Sequence, residues 1–176
     1  MPDDLAALVQ RTLRPIPDYP KPGILFQDIT PVLRDGALFR SVVEAMAAPF
    51  ARAGITHVLG IEARGFILGG AVATALGAGF VPARKPGKLP WESLRESYDL
   101  EYGQDALEAH SDSWTRGARV LVVDDVLATG GTARAAGQLA RALGADLAGW
   151  TFLLEIEALA GRGKLTGGTA HTVARV

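Results

Sequence analysis

The sequence predicts an α/β fold, a central, mostly parallel sheet flanked by helices and joined by right-handed crossovers. Three observations lead there. Short apolar runs recur at His57–Ile61, Phe80–Ala83, Val120–Val123 and Leu147–Leu154, which is how strands buried on both faces of a parallel sheet are written. Between them lie stretches whose apolar residues repeat every three or four positions, the spacing of an amphipathic helix. Glycines stand where helices should stop, at Gly54 and Gly144. With 176 residues, 48% of them hydrophobic, the chain is expected to form one domain over 1–176 around one sizeable core.

Taken in order, Leu5, Leu8, Val9 and Leu13 fall at helical spacing, and Arg14-Pro15 should stop that helix. The next segment holds Pro15, Pro17, Pro20, Pro22 and Pro31, so it is neither a central strand nor a helix interior. Its apolar Ile24-Leu25-Phe26 predicts an ordered connection packed on the body. From Ala37 to Ala53, residues Phe39, Val42, Val43, Met46, Ala47 and Phe50 share one helix face, which Pro49 should kink or shorten. Phe66–Ala83 is free of charge for nearly the length of a membrane span. Gly69, Gly70, Gly77, Gly79 and Pro82 interrupt it, which predicts instead a buried helix, a glycine break and a strand.

Arg84–His110 is of a different character. Arg84, Lys85 and Lys88 cluster, and then Trp91, Tyr98 and Tyr102 interleave with Glu92, Glu96, Asp99 and Glu101, with weak strand alternation around Ser97–Tyr102. Two readings stand for it: a long loop that closes over a site as a lid, or a β-hairpin arm used in dimer contact.

A formal net charge of −1 excludes a globally basic nucleic-acid or membrane-surface protein. Any anion must be met locally. There is no cysteine, hence no disulfide framework or thiolate chemistry. His57, His110 and His171 are scattered, which gives no support to a metal cage or a Ser/His/Asp triad. Met-Pro-Asp-Asp lacks the basic start of a signal peptide, so a soluble, cytoplasmic protein is expected.

The chemistry concentrates in Val120–Thr132, which reads Val-Leu-Val-Val-Asp-Asp-Val-Leu-Ala-Thr-Gly-Gly-Thr. The strand is expected to end at Asp124 and Asp125, whose side chains alternate between faces and so serve different tasks. Beyond Ala128-Thr129-Gly130-Gly131-Thr132, the residues Ala136, Leu139, Ala140 and Leu143 form the buried side of a helix, opposite Arg134, Gln138 and Arg141. A strand, a loop of small residues and a helix start bring bare N–H groups and the positive end of the helix dipole together, an anion site. Neither common nucleotide loop is present.

This stretch resembles the phosphoribosyl diphosphate (PRPP) signature of the type I phosphoribosyltransferases. The resemblance extends over nearly the whole chain: Tyr19–Ile29, Glu62-Ala63-Arg64-Gly65-Phe66, Arg84-Lys85-Pro86-Gly87-Lys88-Leu89-Pro90 and Ser97-Tyr98-Asp99-Leu100-Glu101-Tyr102-Gly103. The first and last of these are similar to the members that act on adenine. The resemblance implies the fold of that family, with an N-terminal hood over 15–33 and a flexible lid over 91–109. It implies transfer of 5-phosphoribosyl from PRPP to adenine, giving AMP and diphosphate in purine salvage, by a homodimer.

By the same resemblance, Asp124 and Asp125 would meet the ribose hydroxyls and Ala128, Thr129, Gly130, Gly131 and Thr132 the 5′-phosphate. Arg64 would clamp the diphosphate with Lys85 and Lys88, and Arg84 would act on a neighbouring subunit's site. Leu25 and Gln27 would read the adenine edge through their backbones, with Phe26 stacked on the ring. Gln27 stands where relatives often carry arginine. Glu101 would transfer the proton of the base and Tyr102 would cover the site. Mg²⁺ would be bound mainly through PRPP and diphosphate oxygens, with no protein metal site. Transfer to another base, or PRPP sensing without turnover, are the alternative functions.

Overall fold

The structure is a computed structural model and describes residues 2–99 and 104–176. Its centre is a five-stranded parallel sheet of β3 (His57–Ile61), β4 (Gly79–Ala83), β7 (Arg119–Leu127), β8 (Asp146–Glu155) and β9 (Thr169–Arg175), in the order β4-β3-β7-β8-β9. Alternation along β7 divides the core in two. Leu121 and Val123 pack towards α1 (Pro2–Thr12), α3 (Gly36–Ala47) and α4 (Arg64–Leu76), whereas Val120 and Val122 pack towards α5 (Gly131–Ala142). All four are fully buried, at about 1.5–3 kcal/mol for each such side chain.

The strand order reverses between β3 and β7: the chain steps outward from β3 to β4 on one side and from β7 to β8 on the other. The helices that follow these strands, α4 and α5, leave to opposite faces. A crevice therefore opens where the carboxyl ends of β3 and β7 adjoin, which is where α/β sheets bind ligands.

Sequence expectation and structure agree on β3, on α4 followed by left-handed Gly77 and β4, and on the buried face of α5. Pro82 is tolerated because β4 is an edge strand. Pro49 ends α3, and the chain continues as a 3₁₀ turn over Ala48–Phe50. Gly144 follows the C-cap Leu143 rather than being the cap, with φ +83°.

Four elements differ from expectation. The strand expected to stop at Asp124 runs on to Leu127, because β8 keeps pairing after β3 has ended at Gly60↔Val123. The proline-rich segment contains an antiparallel ribbon, β1 (Arg14–Pro17) with β2 (Leu25–Asp28), and then α2 (Thr30–Arg34). Both strands of a two-stranded ribbon are edges, so its prolines forfeit little pairing. Within Arg84–His110, β5 (Ser93–Asp99) pairs with β6 (Gln104–His110); Leu107, Ala109 and Tyr98 are buried against the α5 side, and Ala106 is buried as well. That segment is thus a hairpin with a packed root. Finally β9, absent from the sequence reading, closes the sheet. Among the described residues, no helix is long and apolar enough to cross a membrane.

Candidate active site

At the end of β7 the chain turns through Ala128-Thr129-Gly130 into α5. Gly130 adopts φ +78°, and among the described residues no side chain caps the helix, so its first N–H groups remain available. They face a small cavity of about 80 Å³ lined by Asp124 and by residues 126–133. The strand, the left-handed glycine and the open helix start make this an anion cradle.

The two acids flank that cradle differently. Asp124 is buried, and its Oδ1 accepts the Asp125 N–H at 2.9 Å. It approaches α4 so closely that a methyl at Gly65 would stand 2.8 Å from Oδ1. Burial, and then the charge of Asp125, push the Asp124 carboxyl well above its ordinary pKa. The Asp125 carboxylate instead accepts from Arg64 Nε. Burial works against the Arg64 charge, but the Asp125 carboxylate outweighs it and the guanidinium pKa is raised.

Arg64 begins α4 directly after the cis Glu62–Ala63 peptide. Its guanidinium lies 5.3 Å from the Phe26 ring centre, and Phe26 meets Tyr19 edge-on at 5.2 Å. Arg64, Leu25, Phe26 and Gln27 line a second cavity of about 190 Å³, together with Ile24, Val126, Ala128 and Ile156. The hood is anchored by Asp28, which accepts from Thr30 N at 2.9 Å, Thr30 Oγ1 at 2.8 Å and Arg14 Nε at 2.9 Å.

The basic cluster surrounds Glu62. Its carboxylate accepts the Lys85 N–H and pairs with Lys88 at 3.2 Å and Arg84 at 3.6 Å. Burial raises the Glu62 pKa, but these donors prevail and the group is held below its ordinary value. Lys85 Nζ pairs with Asp105 of the hairpin and lies 3.2 Å from the Tyr98 hydroxyl. Thr132 Oγ1 donates to that same hydroxyl at 3.3 Å. Tyr98 thus links the hairpin, the basic cluster and the anion cradle.

The structure therefore brings Asp124 and Ala128–Thr132 together, and gathers Leu25, Phe26, Gln27 and Arg64 at an adjoining pocket. Arg84, Lys85 and Lys88 gather around Glu62, lining neither cavity. Glu101 and Tyr102 lie outside the described residues. Sequence reasoning missed Ile156 in the pocket lining and the roles of Tyr98 and Asp105, whose contacts with Lys85 and Thr132 join residues far apart in the chain. Among the described residues no three metal-ligating side chains converge, and Asp125 is already paired with Arg64. That donor set suits an ion that arrives on a ligand's own oxygens and keeps much of its water.

Comparison with known proteins follows the same lines. Residues 34–161 match the phosphoribosyl transferase domain. A Myxococcus xanthus protein named adenine phosphoribosyltransferase is 57% identical over 161 residues, covering 92% of this chain and 88% of its own. The crystal structure of adenine phosphoribosyltransferase from Rhodothermus marinus superposes with a TM-score of 0.95 at 48% identity, covering 99% of each chain. The Saccharomyces cerevisiae enzyme, solved with an imino-altritol bisphosphate and adenine, gives 0.90 at 39% identity, covering 97% of this chain and 99% of its own.

Proposed function

The chain belongs to the phosphoribosyltransferase family, and on that premise we propose that it transfers the 5-phosphoribosyl group of PRPP to N9 of adenine, forming AMP and releasing diphosphate. One observation carries this reading: Val126 and Ala128 line both the anion cradle and the hood pocket. A single ligand can then place a phosphate on the amides of Ala128–Thr132 and a flat base beside Phe26 and Ile156, with a sugar between them over the acid pair. The named activity of the M. xanthus and R. marinus relatives, and the adenine bound by the yeast enzyme, support the same base.

In this reading the C1–O bond to diphosphate breaks and its electron pair leaves with the diphosphate, while the N9 lone pair forms the new bond to C1. Asp124 and Asp125 hold the ribose hydroxyls so that the sugar is fixed as positive charge develops at C1. Arg64, Lys85 and Lys88 face the departing anion. Glu101 accepts the N9 proton and Tyr102 covers the site. Mg²⁺, which would be held mainly by oxygens of PRPP and diphosphate, would supply further neutralisation of the charge that develops on the diphosphate. The protein works as a cytoplasmic homodimer in which Arg84 acts on the neighbouring subunit's site.

The test is to offer the purified protein Mg-PRPP with adenine, hypoxanthine, guanine, xanthine and orotate in separate reactions and to measure diphosphate. Release with adenine and little with the others is expected. Preferred release with another base would overturn the base assignment. PRPP binding without release for any base would favour a sensor.

A further inference from the structure

The loop between β7 and α5 is backed by a segment that has no core of its own. After β8 the chain leaves the sheet at Glu155, passes through 3₁₀ turns at Glu157–Leu159 and Gly161–Lys164, and returns as β9. Most of this excursion is exposed, but Gly161 is buried. Its backbone lies directly on the loop between β7 and α5. A methyl at Gly161 would collide with the Ala128 carbonyl oxygen and stand 2.7 Å from Gly130 N and 2.9 Å from the Thr129 carbonyl carbon. Conversely, a methyl at Gly130 would collide with the Gly161 carbonyl oxygen. No side chain separates the two segments, so a displacement of one is passed to the other without slack.

The residue after Gly161 supplies the fixing force. Arg162 Nε donates to Glu155 Oε1 at 2.9 Å and Oε2 at 3.2 Å, and Nη2 donates to Oε2 at 2.5 Å and to Thr172 Oγ1 at 3.0 Å. Its Nη1 donates to the Ala170 carbonyl at 2.6 Å. One guanidinium therefore ties the excursion to the end of β8 and to β9. Glu155 is buried, and its partner residue across the ladder is Leu127, the last residue before the loop. The neighbouring Ile156 N–H donates to the Leu127 carbonyl at 2.9 Å.

We propose that Glu155 and Arg162 are positioning residues for PRPP: their ion pair presses the Gly161 backbone onto Ala128–Gly130 and so aims the amides that hold the 5′-phosphate. The proposal rests on the reading of Ala128–Thr132 as the phosphate site. Donors aimed in advance bind an anion without reorganising, and a planar fork that grips a carboxylate at two points fixes direction in a way an ammonium does not.

The experiment compares wild type with Arg162→Ala, Arg162→Lys, Gly161→Ala and Thr132→Ala. For each, KM for PRPP, KM for adenine and kcat are measured, together with the Kd for ribose 5-phosphate and the thermal midpoint. Arg162→Ala is expected to raise KM for PRPP and Kd for ribose 5-phosphate at least about tenfold, with a smaller change in kcat, as when aligned anion donors are lost. Arg162→Lys should recover part of that loss. Gly161→Ala keeps the ion pair and should weaken phosphate binding through the new methyl, so it decides the matter if Arg162→Ala fails to fold. Unchanged phosphate binding in folded Arg162→Ala, or in Gly161→Ala, overturns the proposal. If Thr132→Ala weakens binding and those two do not, the phosphate site stands and only the positioning role falls. If wild type does not bind ribose 5-phosphate, both fall together.

Discussion

The two ends of the proposed site would meet anions by different means. At the cradle, the donors are backbone N–H groups held by a strand, a left-handed glycine and a helix start. At the proposed diphosphate side, the donors would be side-chain cations, and each already has an acid: Arg64 has Asp125, Lys85 has Asp105, and Lys88 has Glu62, which also pairs with Arg84. A backbone cradle costs little to use, because it is aimed before the ligand arrives. The cation cluster must exchange one anion for another, so its net gain is a difference between two ion pairings. The physical lesson is that the first end should give constant grip and the second should give a grip that is released when the chemistry is done.

The strongest way to break this comparison is to remove the acids and leave the backbone. Asp124→Asn with Asp125→Asn should lower turnover about 1000-fold, since the sugar loses its fixed position and Arg64 its partner. Ribose 5-phosphate binding, measured by calorimetry, should fall only a few fold, because the amides of Ala128–Thr132 are untouched. If binding falls as steeply as turnover, the cradle is not independent of the acid pair. Wild-type turnover in the double variant would remove the acids from the reaction.

How much of this was legible in the sequence follows the same division. The cradle could be read because it is local: Val120–Val123 alternates between two buried faces, and the small residues and the α5 face follow in unbroken order. Even so, the extension of β7 to Leu127 was not legible, for it depends on β8 continuing alongside. The sequence leaves a lid loop and a hairpin arm both open for Arg84–His110, because its polar residues mask Leu107 and Ala109, whose burial depends on α5 arriving from elsewhere in the chain. Thr169–Arg175 has only one buried side chain, Ala174, so β9 carries no apolar run to announce it. Gly161 and Arg162 act through contacts with the loop after β7 and with residues on β8 and β9, and nothing local marks them. The basic residues were legible as a cluster, but their acid partners, Asp105 above all, were not.

A variant at Asp105 sharpens the other half of the comparison. Asp105→Asn leaves Lys85 near Tyr98 without its counter-ion. Both side chains of this pair are partly exposed, at 38% and 25%, so the pair is worth about 1 kcal/mol at most. Lys85 should then be freer to meet diphosphate. KM for PRPP should fall by up to about fivefold, and product release should slow if diphosphate departure limits turnover. The effect should shrink as salt is raised from 0.05 to about 0.5 M, where exposed charges are screened. A rise in KM would mean that Asp105 holds Lys85 in its working position and does not compete for it.

The smallest expected effect lies at the base end, where the hood is held by side chains as the cation cluster is. The Thr30 N–H, then the Arg14 guanidinium and the Thr30 hydroxyl, lower the Asp28 pKa from its ordinary 3.8 to about 2. A carboxylate whose folded pKa lies below its unfolded value stabilises the fold fully above the unfolded value and loses that contribution as pH falls through the folded one. Wild type should therefore lose this stability between pH 3.8 and about 2. Asp28→Asn should cost about 1–3 kcal/mol near neutral pH, and the gap in thermal midpoint between variant and wild type should hold steady above pH 5 and narrow below pH 4. Adenine KM should rise modestly, because β2 carries Leu25, Phe26 and Gln27 on the strand that Asp28 ends, while ribose 5-phosphate binding should stay as it was. A gap that stays constant down to pH 2 would show that Asp28 is not what ties the hood to α2, and equal losses for base and phosphate would show that hood and cradle are held as one unit.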